Sequence, residues 1–286
     1  MTAVILSAAL HALWNFLLRR AGGSSIVAAM CIIAEAVILL PPALIVLHSS
    51  GTPLPALFLP VVLVAAVLAL ANYVALIAAY AKADLSLVYP VARGGVFLFL
   101  PLLGFLVFGE RLGVAGWVAL SLIVIGIMLL PLARLDRASF RDLGRHLRER
   151  WMIFALLAAA STAAYTVWDK YAIGFIDTFL YFAAYTVLLG VWFTIVLARA
   201  KRGEVRAEWR KHRVAIAIAG VFIASSYLLL LVALRDGISS QVLAVRQLSI
   251  PIGVVLGWQF LRESLSVPRV IGSALITAGC GLAALF

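Results

Sequence analysis

The chain has 286 residues, 65% of them hydrophobic and 12% charged, and a formal net charge of +11. A mean hydropathy of +1.13 excludes an ordinary water-soluble domain and describes a protein that dissolves in a bilayer. The basic residues lie in short loops between apolar runs, where they set orientation and attract anionic headgroups, so the charge does not imply a nucleic-acid partner.

Cutting the sequence at charges and turn residues leaves ten apolar runs, over 2–19, 26–47, 56–81, 86–108, 113–131, 151–171, 177–199, 213–234, 239–261 and 267–285. Each is long enough to span, since about 20 residues at roughly 1.5 Å each cross a hydrocarbon core about 30 Å thick. The first run has no basic leader and carries His11 and Asn15, so it is expected to remain as a span and not to be cleaved. Ser7, His11 and Asn15 recur every four residues and share one helix face, with Trp14 beside them. Such a stripe either lines a solute path or joins neighbouring helices through its polar groups. The second run holds Glu35, a lone carboxylate deep in apolar sequence. It reads as a proton-coupling site or as one half of a permanent ion pair with a buried arginine. Cys31, like Cys280 near the other end, lies inside a span and reads as an inert packing residue, with no disulfide or metal site implied.

The third run contributes Asn72, Tyr73 and Tyr80, and the fourth contributes Tyr89 and Arg93. Asn72 and Tyr89 are candidate solute contacts, and the tyrosines read as cavity walls or as packing and interfacial anchors. A cation inside a span costs about 2.5–3.5 kcal/mol on insertion scales and marks a solute pathway or a structural ion pair. Arg93 is too deep to reach an interface comfortably. Pro90, Pro101, Gly94 and Gly95 surround it, which predicts a kink or an unwound turn there. Glu110 opens the fifth run, as Glu263 opens the tenth, where a carboxylate suits the positive end of a helix. The linker DRASFRDLGRHLRERW places Phe140, Leu143, Leu147 and Trp151 at helical spacing among arginines, the pattern of a helix lying on the membrane surface.

The sixth run repeats a polar stripe with Thr162, Thr166 and Asp169 or Lys170, beside Tyr165. The seventh and eighth runs are joined by a basic loop over 200–212. The ninth holds Arg246, followed by Pro251, so a second buried cation sits beside a second helix breaker. Laying 86–126 over 239–279 gives ten identities in 41 positions, among them Ser86/Ser239, Arg93/Arg246, Gly104/Gly257, Glu110/Glu263 and Gly126/Gly279. Duplication accounts for this. A unit of five spans enters the membrane in opposite senses in its two copies, so the fold class expected is an all-α membrane protein of ten helices in two inverted five-helix repeats, enclosing a central cavity. The domains are 1–131, a basic interfacial linker 132–150, and 151–286.

With ALHALWNFLLRR, AYAKADLSLVYPVARG, FGERL, AAYTVWDKYA and LRESL in these places, the chain resembles the drug/metabolite transporter superfamily, specifically ten-helix carriers made of two EamA-type domains. The resemblance runs nearly end to end. It implies ten helices around a cavity near the midplane and is unspecific for substrate, since the superfamily moves amino acids, drugs, sugar nucleotides and other metabolites. The cations argue about orientation. Odd-numbered loops hold eighteen basic residues and even-numbered loops hold three, Arg111, Lys170 and Arg235. Positive-inside counting places both termini outside; the resemblance implies both inside.

No GxSxG, HExxH or Walker A pattern occurs, so no enzyme, cofactor or direct ATP drive is expected. The expectation is a secondary carrier in a bacterial plasma membrane, exporting a small polar metabolite in exchange for protons, with helices 1, 3, 4, 6, 8 and 9 lining the path. Arg93, Arg246, His11, Asn15, Trp14, Asn72, Tyr89, Tyr165, Thr166 and Asp169 would contact the solute and Glu35 would carry the proton. An anionic or zwitterionic solute follows if Glu35 neutralises only one arginine. The alternatives are a receptor or assembly subunit that moves nothing, and a multidrug or cation exporter using Glu35. Both a monomer and a homodimer are compatible with the sequence.

Overall fold

The computed structural model describes residues 1–50 and 54–285, apart from the side chains of Ser50, Leu85 and Ser86. The recurring Ser86 is therefore outside the described side chains. Every regular element among the described residues is an α-helix: α1 Thr2–Arg20, α2 Ser25–Ser50, α3 Phe58–Tyr80, α4 Leu85–Gly94, α5 Val96–Phe108, α6 Val114–Leu129, α7 Arg137–His146, α8 Trp151–Ala172, α9 Thr178–Ala198, α10 Arg202–Asp236, α11 Ser239–Arg246, α12 Ser249–Leu261 and α13 Val267–Ala283. Eight apolar segments are long enough to cross a bilayer, counting α4–α5 and α11–α12 as one each, and α6 and α13 are shorter apolar helices. The chain is a multi-pass membrane protein.

The helix bounds recur down the chain. α5 and α12 begin at Val96 and Ser249, and α6 and α13 at Val114 and Val267, each pair 153 positions apart. The breaks recur too. The run expected over 86–108 divides at Gly95, one residue past Gly94 and two past Arg93, and the run over 239–261 divides at Gln247 and Leu248, directly after Arg246. The second interruption follows from the backbone. Pro251 has no N–H, so the Gln247 carbonyl takes the Ile250 N–H at 2.8 Å instead. Just before it, Gln247 and Leu248 donate to Ala244 and Val245 in tight three-residue turns at 3.0 and 3.1 Å. At the first break, Gly95 packs its backbone on α8, where a Cβ would lie 3.0 Å from that of Ala159.

Three sequence expectations are corrected. The basic segment 200–212 is not a loop: from Arg202 it is the first turns of α10, a 35-residue helix. Its alternation of Arg, Glu, Ala and Lys is helix-forming, and only a reading based on hydropathy mistakes it for a break. Trp151 does not belong to the surface helix; α7 ends at His146, and Trp151 starts α8, 1% exposed. The runs expected over 113–131 and 267–285 shrink to 16 and 17 helical residues. A helix is present in the linker, α7. Asp136 caps it by accepting from the Ser139 N–H at 2.8 Å, and that bond holds the carboxyl below its usual range.

Each of two compact units draws on both sequence halves. One comprises Met1, Val67–Lys170 and Asp236–Phe286; the other comprises Thr2–Ala66 and Tyr171–Arg235. Within the first, α6 packs on α13 through glycines. A Cβ on Gly126 would meet the Gly272 carbonyl at 2.6 Å, one on Gly272 would meet the Gly126 carbonyl at 2.6 Å, and one on Gly279 would meet the Ala119 carbonyl at 2.7 Å. This is close backbone packing of the small-residue kind that lipid-embedded helices use. The second unit is built likewise: a Cβ on Gly190 of α9 would lie 2.5 Å from that of Ala36 on α2, and one on Gly220 of α10 would meet α2 at Ala34 and Glu35.

The recurring Gly104/Gly257 and Glu110/Glu263 build one turn twice. Glu110 and Glu263 donate their N–H to the Gly104 and Gly257 carbonyls, both at 3.2 Å, across residues in the left-handed region, Gly109 at φ 68° and Arg262 at φ 58°. In the first copy the Gly109 N–H also donates to the Phe105 carbonyl at 2.9 Å, the bond of a helix ended by a left-handed residue.

Candidate solute site

In the first unit, the chemistry gathers at the two broken helices. Arg93 closes the last turn of α4, half-buried, with its guanidinium carbon 5.5 Å from the centroid of the Tyr89 ring one turn back. Tyr80 of α3 and Tyr165 of α8 lie within electrostatic reach of the same cation. An aromatic face stabilises a guanidinium without neutralising it, so this arrangement holds a positive charge in place while keeping it positive.

Arg246 ends α11, and all eight residues of that helix are buried. The polar side chains are concentrated here: Ser239, Ser240, Gln241, Gln247 and Ser249 are buried along with the arginine. The far end of α11 is fixed by Glu110. Both carboxylate oxygens accept from the Ser239 N–H at 3.0 Å, and the Ser239 hydroxyl donates to one of them at 2.9 Å. Lys170, at the end of α8, completes the cluster by donating to Glu110 at 2.5 Å and to the Gly237 carbonyl at 2.6 Å. Its ammonium also lies 5.1 Å from the Phe108 ring centroid. Glu110 was expected to favour the start of its own helix, and the structure instead gives its carboxylate to the start of α11, 129 positions away.

The remaining candidates of this unit are partly used internally. Asn72 donates to the Ala158 carbonyl and to the Thr162 hydroxyl, both at 2.8 Å, and Ser161 donates to the Leu68 carbonyl at 2.7 Å, so these groups join α3 to α8. Thr166 donates to the Thr162 carbonyl one turn earlier at 2.7 Å. Asp169 is 2% exposed on the same helix.

The second unit holds His11, Trp14, Asn15 and Glu35. Trp14 donates its indole N–H to His11 Nδ1 at 3.1 Å, which places the proton of a neutral His11 ring on Nε2. Asn15 donates to the His11 carbonyl at 2.7 Å. Ser7, the first member of that stripe, is an interhelical joint: its hydroxyl donates to the Ser226 carbonyl at 2.6 Å while the Ser226 hydroxyl donates to the Ser7 carbonyl at 2.8 Å. Glu35 is 5% exposed, and within its own unit no hydrogen bond or ion pair of its carboxylate occurs among the described residues. The same unit holds a cluster that sequence reading passed over. Phe182 stacks on Tyr227 with centroids 5.3 Å apart, and Tyr185 meets both at an angle. Gln241 and Gln247 were also missed, although two amides in an apolar run are as costly a signal as the hydroxyls that were noticed.

Three likenesses to known proteins accompany this geometry. Residues 149–285 match the model of the EamA-like transporter family. An "Uncharacterized transporter in cobO 3'region" of Sinorhizobium sp is 30% identical over 139 residues, which is 48% of this chain and 99% of that protein. A protein of known crystal structure superposes with a TM-score of 0.75 at 16% identity, covering 99% of this chain and 96% of that one. At that identity the last likeness speaks to fold alone.

Proposed function

The chain belongs to the EamA-like transporter family, and from that premise we propose that it is a secondary active carrier of a small polar organic metabolite, anionic or zwitterionic, in a bacterial plasma membrane. Its ten spans are read as two inverted five-helix repeats. The single observation behind the substrate class is the placement of Arg93 and Arg246, each at the broken end of a membrane helix in the same recurring position. The N–H groups at both interruptions stay bonded within the chain, so the charge is what distinguishes these points, and a cation held inside a membrane helix favours a solute that brings negative charge. Tyr89 and Tyr165 beside Arg93 supply hydroxyl and ring surfaces for the rest of the molecule. Glu35 is the proposed proton carrier, since its buried carboxylate has no partner within its unit and can gain or lose a proton without breaking an ion pair there. Export against proton entry is the proposed direction.

A second reading has its own support. A buried carboxylate also suits a cationic solute, which would make this a multidrug or cation exporter. Purified protein in vesicles, screened for flux of organic anions, zwitterions and cations, separates the two. Under the first reading, Arg93→Ala and Arg246→Ala each reduce flux to background with membrane insertion retained, and Glu35→Gln removes the response to an imposed pH gradient. Wild-type flux in both arginine variants would overturn the anionic reading, and flux of cations alone would establish the second. A receptor or assembly subunit would move none of them.

A further inference from the structure

The surface helix α7 is not used by the carrier reading, and its chemistry is strongly patterned. None of its residues is buried. Arg137, Arg141 and Arg145 follow one another at four-residue spacing and form one stripe, which Arg148 prolongs. Phe140, Leu143 and Leu147 form the neighbouring stripe, with Phe140 48% exposed. The acids stand on the other side of the arginines, where Asp142 meets Arg145 at 3.6 Å in a largely exposed pair, an arrangement worth little to stability.

The helix is tied down at its end. Leu147 packs against a buried cluster of Ala79, Val88, Val91, Trp151 and Ala155, formed by the adjoining ends of α3, α4 and α8. Lys82 borders the same cluster, its ammonium 5.7 Å from the ring centroid of Phe154 on the first turn of α8. On either side of the linker stand apolar helices, α6 and α8. A helix tethered at both ends to membrane helices, with an exposed aromatic next to a row of guanidinium groups, has the bilayer boundary as its neighbour.

We propose that α7 is a docking surface for anionic phospholipid headgroups: Arg137, Arg141 and Arg145 engage lipid phosphates while Phe140 enters the acyl boundary beside them. Guanidinium groups bind phosphate oxygens through paired N–H donors, and each basic residue near an anionic surface strengthens attachment. A soluble acidic partner is the competing occupant. It would leave Phe140 in water, whereas a lipid surface covers it.

The test places a fluorophore at position 140 through Phe140→Cys in the full chain; both native cysteines are buried and react poorly. The protein is reconstituted in phosphatidylcholine vesicles containing increasing fractions of nitroxide-labelled phosphatidylglycerol or nitroxide-labelled phosphatidylcholine. The phosphatidylglycerol probe is expected to quench at a several-fold lower fraction, and high salt should erase the difference. Each arginine changed to glutamine among R137Q, R141Q and R145Q should raise the fraction needed about fivefold. The corresponding lysine variants should keep most of the preference, which separates charge from fold. Equal quenching by the two probes, or a preference unchanged in the triple glutamine variant, would overturn the proposal.

Discussion

The α4–α5 and α11–α12 segments share bounds, break and arginine, yet they hold their cations differently. α11 is buried along its whole length, carries two glutamines near its break, and is fastened at its first residue by Glu110 and Lys170. α4 has apolar residues where α11 has the glutamines: Gln241 corresponds to Val88 and Gln247 to Gly94. Its arginine is half-buried against a tyrosine ring. The two segments thus share their backbone devices, while the polar side chains around the two arginines differ. The arrangement gives one arm a rigid stem and leaves the other arginine within reach of aromatic hydroxyls.

The sharpest way to break this comparison is through the two cations that serve the two glutamates. Lys170 is 16% exposed and lies 2.5 Å from Glu110, whereas Arg269 is 39% exposed and 3.9 Å from Glu263. Removing one member of a buried pair strands its partner, so Lys170→Ala should destabilise the protein by about 3 kcal/mol. Arg269→Ala should cost at most about 1 kcal/mol. Thermal unfolding in detergent measures both, and equal losses would show that the two fastenings are equivalent after all.

A smaller effect is expected behind the arms. Gly126 and Gly279 occupy corresponding positions, and a methyl at either would collide with a facing carbonyl at 2.6 or 2.7 Å. Gly126→Ala and Gly279→Ala should each cost about 2 kcal/mol through forced separation of α6 and α13. A large gap between the two melting temperatures would mean that the seam is not symmetric.

The smallest effect concerns the left-handed turn. Gly109 adopts its positive φ without a Cβ, but Arg262 holds the equivalent conformation with one. Arg262→Gly should therefore raise stability by about 1 kcal/mol, read as an upward shift in melting temperature. A loss would assign the Arg262 side chain a contact that outweighs its backbone.

These features were unequally visible in the sequence. Pro251 beside Arg246 announced the second break, whereas at the first Pro90 and Pro101 sit inside α4 and α5 and the interruption falls at Gly95, between the two expected breakers. The glycine pairs were visible as repeats, and the structure supplies two reasons: facing carbonyls leave no room at Gly126 and Gly279, and the Glu110 and Glu263 side chains leave none at Gly104 and Gly257. The extended α10 was hidden because charged residues that favour helix look like a loop to hydropathy. Glu110 was placed on the wrong helix because its partner is remote in sequence, and local reasoning sees only the nearest helix end. Helix joining was one of the two readings open for the Ser7 stripe, and the structure supplies the partner, Ser226; for Asn72, which was read as a solute contact, the partners on α8 emerged only in three dimensions.

The glycine seam has one further consequence, for the lipid. With 16 and 17 residues, α6 and α13 reach only about 24 and 26 Å, short of a hydrocarbon layer about 30 Å thick. Acyl chains bordering that pair must compress, or headgroups must dip toward it, at a cost of fractions of a kcal/mol per ångström of mismatch. The bilayer is thus expected to be drawn thin beside a pair of helices held backbone to backbone.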